Sequence, residues 1–144
     1  MPPAPPLTQI IGRTERALSP LMDRVLAGTG GTFPQWVALT LTAANGDGIE
    51  RPQLIARLAG ALQIDDTAAD AVIGELADEQ LLQAGSPSVV ALSDAGRERH
   101  AAIRAAIDQI AAQLFAEIPA DDEATTRRVL TTIADRADTQ LAAQ

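Results

Sequence analysis

The chain has no cysteine, no lysine and no tyrosine, and His100 is its single histidine. Without cysteine, disulfides and thiolate chemistry are excluded. One histidine cannot build a multi-histidine metal site within one chain. Aromatic side chains are nearly absent, since Phe33, Trp36 and Phe115 are the whole set. Close packing of Ala and Leu therefore has to replace large aromatic anchors. No apolar run reaches the roughly 18 residues of a membrane span. The opening Met1-Pro-Pro-Ala-Pro-Pro6 lacks the basic and apolar regions of a signal peptide. A cytoplasmic protein with no membrane partner is the expectation.

One further absence is local. From Leu58 to Gly96 there is no Lys, Arg or His, while the stretch carries Asp65, Asp66, Asp70, Glu75, Asp78, Glu79 and Asp94. Those seven acids account for most of the formal charge of −8, and every one of the 11 basic residues, all Arg, lies outside the gap.

What is present is aliphatic and helical. The 144 residues are 47% hydrophobic, enough for one domain with a real core. Pro2, Pro3, Pro5 and Pro6 form a stiff leader over residues 1–6. Leu7, Ile10, Ile11, Leu18, Leu21, Met22, Val25 and Leu26 recur at helical spacing. Pro20 lacks an N–H and crowds the carbonyl of Arg16, so a kink or restart is expected there. Thr32-Phe-Pro-Gln35 is a capping-box pattern opening a second helix to about Ala44. Ile49 reads as a short edge strand. Pro52 opens a third helix facing inward through Leu54, Ile55, Leu58 and Leu62. Asp65 or Asp66 caps a fourth, whose buried face is Ala69, Val72, Ile73 and Leu76.

Leu81–Ala84 and Val89–Leu92 read as two strands joined by Gly85-Ser86-Pro87-Ser88. Ser93 caps a long helix to Ile118, with an apolar stripe of Ile103, Ile107, Ile110, Ala111, Leu114 and Phe115. Pro119 ends it. Asp121, Asp122 and Glu123 suit the first turn of a last helix, whose face is Leu130, Ile133, Ala137 and Leu141. The expected fold is mainly α: four helices, a β-hairpin and two further helices, with a winged helix-turn-helix in the middle. The terminal helices carry more apolar surface than so small a core absorbs, so a homodimer is expected. Residues 7–144 then form one domain, with dimerisation helices at about 7–28 and 94–142 and a winged-helix lobe at about 33–93.

Three segments carry a family resemblance over about Leu7 to Leu141: Phe33-Pro-Gln-Trp-Val-Ala-Leu39, Thr67-Ala-Ala-Asp-Ala-Val-Ile-Gly-Glu-Leu76 with Leu81-Leu82, and Leu92-Ser-Asp-Ala-Gly-Arg97. In order and spacing they resemble the MarR family of bacterial transcriptional regulators. The resemblance implies a dimer whose fourth helices enter successive major grooves, with wings reaching the minor groove. It also implies a small ligand bound between the dimerisation helices and the DNA-binding lobe. Carried onto this chain, the DNA-facing positions are Arg51, Arg57, Thr67, Ala68, Asp70, Ala71 and Arg97, with Arg99 as a further phosphate contact. Positions often basic in the family are Ala71 and Glu75 here, and the wing tip carries no cation. Weak or unusual DNA affinity is the corresponding expectation.

The ligand cleft falls on Arg16, Trp36 and His100. Trp36 offers a flat ring, or is simply core. Arg16, with Arg13 nearby, suits an anionic or aromatic carboxylate ligand, or is a solvent-exposed side chain. His100 is an exposed or dimer-interface residue, or a ligand or pH sensor at the cleft. No nucleophile–base pair, phosphate loop or metal-loop spacing occurs, so neither an enzyme nor a cofactor is expected. Two readings follow. One is a ligand-responsive DNA-binding regulator. The other is a dimer that kept the scaffold as a small-molecule sensor or protein-interaction module without binding DNA.

Overall fold

A computed structural model describes residues 2–86 and 88–143. Its elements are α1 (Leu7–Thr29), α2 (Phe33–Ala43), β1 (Ile49–Glu50), α3 (Arg51–Leu62), α4 (Asp66–Asp78), β2 (Leu82–Ser86), β3 (Val89–Leu92), α5 (Asp94–Leu114) and α6 (Ala120–Ala142). The strands form an antiparallel sheet in the order β1-β3-β2. The mainly α winged-helix order expected from the sequence is the order observed.

Local chemistry explains most boundaries. Pro6 has extended, polyproline-like torsions, and α1 begins immediately after it. Thr32 and Gln35 form the reciprocal capping box that opens α2, each backbone N–H donating to the other's side chain at 3.3 Å. Asp65, rather than Asp66, caps α4 by accepting from the Ala68 N–H at 2.8 Å. Asp66 sits in the first turn, where a negative charge meets the positive end of the helix dipole.

Three expectations need correction. α1 runs through Pro20 without interruption. Residues 13–20 are all exposed, so water can take the carbonyl that proline leaves without a donor. α5 ends at Leu114 rather than Ile118. Residues preceding a proline are pushed out of helical torsions, and Glu117 takes a left-handed φ of 68° ahead of Ile118-Pro119. β2 reaches Ser86, longer than expected, with an irregular register between Ala84 and Ser86 that marks a bulge at Gly85. Pro87, part of the expected wing tip, lies outside the described residues.

The described residues fall into two compact units, one running to Asp108 and the other starting at Gln109. In the first, the core gathers Leu39 from α2, Leu54 and Leu58 from α3, Ile73 and Leu76 from α4, and Val90 and Leu92 from β3. Each fully buried aliphatic side chain contributes about 1.5–3 kcal/mol over leaving it exposed. A surface ion pair contributes about 0–1 kcal/mol. The acidic outer face of α4 therefore has little leverage on whether α4 docks. A smaller cluster joins Leu26 of α1, Trp36 of α2 and Ile103 of α5, with Met22, Val25 and Ile107 beside it. In the second unit α6 buries none of its residues within the chain.

The wing meets α5 at a tight joint. Ser93 Oγ donates to the Gln80 carbonyl at 2.6 Å and accepts from the Gly96 N–H at 3.0 Å. A Cβ at Gly96 would lie 2.1 Å from the Leu81 carbonyl oxygen, too close for any side chain. At Gly74, in the middle of α4, a Cβ would meet nothing within 4 Å. Gly96→Ala is expected to destabilise by about 3 kcal/mol through overpacking. Gly74→Ala should stabilise by about 0.5–1 kcal/mol through lower chain entropy. Urea denaturation of the two variants measures both signs.

Candidate nucleic-acid interface

With Ala69, Val72, Ile73 and Leu76 turned inward, the 3.6-residue period presents Thr67, Ala68, Asp70, Ala71, Glu75 and Asp78 to solvent, and all six are exposed. This is the surface a recognition helix would offer. Its charge is less bare than the sequence implies. Arg51, the first residue of α3, reaches Asp70 with Nε at 3.0 Å and Nη2 at 2.8 Å, both on the same carboxylate oxygen. Gln35, its carbonyl oxygen held by the α2 capping box, donates from Nε2 to Glu75 at 3.2 Å. Asp65 is occupied as the cap. Asp66, Asp78 and Glu79 make no ion pair among the described residues. The last two crowd the negative end of the helix, where no basic side chain answers them.

The arginines divide in the same way. Arg97 donates from Nη1 to the Leu92 carbonyl at 3.1 Å and pairs with Asp94, so it braces the joint between wing and α5. Arg99 extends toward Gly31 at the turn between α1 and α2. Arg57 is exposed and has no ion-pair partner among the described residues. The backbone N–H of Arg51 donates to the Ser88 carbonyl at 2.7 Å, which fixes the start of α3 against the residue just ahead of β3. Between the starts of α3 and α4 lies an open groove of about 360 Å³, lined by Pro52, Ile55, Asp66, Thr67 and Asp70. Arg51, Thr67 and Asp70 are thus brought together, while Arg97 serves a different joint.

Of the three cleft residues, two meet. Trp36 and His100 stack with ring centroids 5.0 Å apart and planes inclined by 19°. Trp36 is 9% exposed and belongs to the small cluster with Leu26 and Ile103. Arg16 is exposed, and its guanidinium folds over Gly12 of its own helix. It stands six residues, about 9 Å along the axis, from Met22, where α1 begins to pack on the Trp36 cluster. His100 Nε2 is buried without a hydrogen-bond partner. Burial first, and then the Arg104 guanidinium, lower the pKa of His100 from its ordinary 6.5. Arg104 in turn holds Asp108 at 3.2 Å. Among the described residues no group of three or more His, Asp and Glu side chains is placed to hold a metal ion. None of their helices is long and apolar enough to cross a membrane.

No protein-family model matches the sequence, and comparison with curated proteins returns no match. The fold, in contrast, has close counterparts. CouR from Rhodococcus jostii bound to p-coumaroyl-CoA superposes with a TM-score of 0.75 at 18% identity, over 90% of this chain and 91% of that one. A MarR family protein of Mycobacterium tuberculosis in complex with DNA gives 0.71 at 22% identity, over 90% and 98%. The complex of such a Mycobacterium tuberculosis protein with salicylic acid gives 0.64 at 23% identity, over 89% and 98%.

The fold is that of a MarR-type winged helix. At these identities the likeness concerns the fold, and the roles of individual side chains rest on this chain's own geometry.

Sequence reasoning placed Arg51 and Asp70 on one surface but missed that they pair, and it missed Gln35 as the partner of Glu75. Nineteen residues separate Arg51 from Asp70 and forty separate Gln35 from Glu75. No local spacing rule reaches so far. The one available signal was that Gln35 belongs to a capping box and so has a fixed direction.

The histidine of this winged helix is neutral in the folded state at pH 7. Since its folded pKa lies below the unfolded 6.5, the unfolded chain binds the extra proton first. The stabilising contribution is complete above about pH 6.5 and declines as pH falls below it. The urea midpoint, followed by Trp36 fluorescence, should drop between about pH 7.5 and 5.5 by more in the native protein than in His100→Phe. Parallel curves for the two would contradict the assignment.

Proposed function

We propose that the chain is a homodimeric, cytoplasmic transcriptional regulator that presents α4 of each protomer to the major groove. The observation that carries this reading is the outward face of α4. Small side chains at Thr67, Ala68 and Ala71 leave room for base edges, and the two carboxylates in the middle of that face are engaged by Arg51 and Gln35. Support also comes from the MarR family protein of Mycobacterium tuberculosis, which shares the fold and is in complex with DNA.

Dimerisation is supported by apolar surface. α1 exposes Leu7, Ile10 and Leu18, and α6 exposes Val129, Leu130, Ile133 and Leu141. Exposed apolar surface on this scale marks an interaction face. Ligand response is supported by the Trp36–His100 stack at the meeting of α1, α2 and α5. It is supported too by the salicylic acid and p-coumaroyl-CoA held by proteins of the same fold. A small aromatic or anionic ligand is the corresponding class. The second reading, a sensor or interaction module that does not bind DNA, draws on Asp78 and Glu79, which stay exposed and without an ion pair.

Phosphate arithmetic sets the expected strength. Arg51 and Arg97 are occupied by ion pairs, which leaves Arg57, and Arg99 if it swings away from Gly31, or at most about four contacts per dimer against about 6–10 for strong binders. DNA from the protein's own promoter region, titrated at ~50 and ~200 mM salt, should lose about 100-fold in affinity. Eight contacts would give about 10⁴-fold over the same range. Absence of binding at ~50 mM salt would reject direct contact with that DNA and favour the second reading.

A further inference from the structure

The pairing of Arg51 with Asp70 does more than neutralise an acid. Arg51 opens α3, its backbone tied to Ser88 just ahead of β3, and its guanidinium holds Asp70, which lines the groove between α3 and α4. A cation at that point is placed to meet a phosphate if DNA lies along α4. Instead both hydrogen-bonding arms, Nε and Nη2, converge on one oxygen of Asp70. Resting on the regulator reading, we propose that Asp70 is a built-in competitor for DNA phosphate, an autoinhibitory contact that holds Arg51 off the backbone.

The competition is close. The two side chains are 39% and 53% exposed, and a pair of that exposure holds its partners by a factor of about five at most. A phosphate therefore can displace Asp70, but the displaced carboxylate then stands uncompensated beside the DNA. The pair lowers affinity for any sequence and sharpens dependence on whatever else the operator offers.

Single substitutions change net charge as well as the pair, so the test is a double-mutant cycle with a charge control. Nonspecific duplex DNA is titrated at ~50 and ~200 mM salt against the native dimer, Asp70→Asn, Arg51→Gln, the double variant and Asp78→Asn. Asp70→Asn should raise affinity by about tenfold at ~50 mM and steepen the logarithmic salt slope by about 1.8, one added phosphate per protomer. Asp78→Asn, with the same charge change on the same helix, should raise it by less than threefold and leave the slope unchanged. Arg51→Gln should cost several-fold more in the Asp70→Asn background than in the native one. Asp70→Ala should follow Asp70→Asn, and circular dichroism melts confirm that each variant is folded. Equal effects of Asp70→Asn and Asp78→Asn, or an Arg51→Gln loss that is the same in both backgrounds, would overturn the proposal while leaving the regulator reading intact. No binding by any of the six proteins at ~50 mM salt would overturn both.

Discussion

The Leu81 carbonyl and the Cα of Gly96 approach so closely that no Cβ fits between them. The acidic helix α4 and the Trp36–His100 stack are joined through that contact. On one side of it α4 passes through Gln80, at a left-handed φ of 63°, into the wing. On the other side α5 begins and, one turn later, places His100 against Trp36. Ser93 binds the two sides through the Gln80 carbonyl and the Gly96 N–H, and Arg97 closes the strand end by donating to the Leu92 carbonyl. The acidic face of α4 and the aromatic stack are thus fixed to opposite sides of one small joint. The Ser93 N–H adds a backbone bond to the Leu81 carbonyl at 3.1 Å, so backbone and side-chain contacts together hold the start of α5 against the end of α4.

The same geometry changes the meaning of the acidic stretch between Arg57 and Arg97. As a list of charges it opposes DNA along the whole of α4. In three dimensions the acids have separate occupations. Asp65 caps the helix, Asp70 is answered by Arg51, Glu75 by Gln35, and Asp94 by Arg97. What remains is the Asp78–Glu79 end, with Asp66 favoured by the helix dipole. The repulsion is concentrated at one end of the helix, and the residues that would face bases sit near the other.

Legibility in the sequence followed the range of the interaction. Caps and faces are written within a turn or two, so the Thr32–Gln35 box, the Asp65 cap and the inward set Ala69, Val72, Ile73 and Leu76 were all readable. The winged-helix order follows from them. The helix does not restart at Pro20, because the penalty there depends on whether water reaches the freed carbonyl, which is a property of the surface. The end of α5 was misread because an apolar stripe continuing through Phe115 and Ile118 outweighed the restriction that Pro119 places on its predecessor. The candidate site was half legible. Its positions came from the helical period and the family resemblance, but the partners of Asp70 and Glu75 come from α3 and α2, and only folding brings them near.

The central claim is that two copies of α4 address one duplex. Hydroxyl-radical footprinting of the protein on DNA from its own promoter region, at low salt, tests it most directly. The account predicts two protected patches whose centres lie about one helical turn, 10–10.5 base pairs, apart. Protection without that periodicity, or no protection at ~50 mM salt with the folded protein in large excess over the duplex, would contradict it.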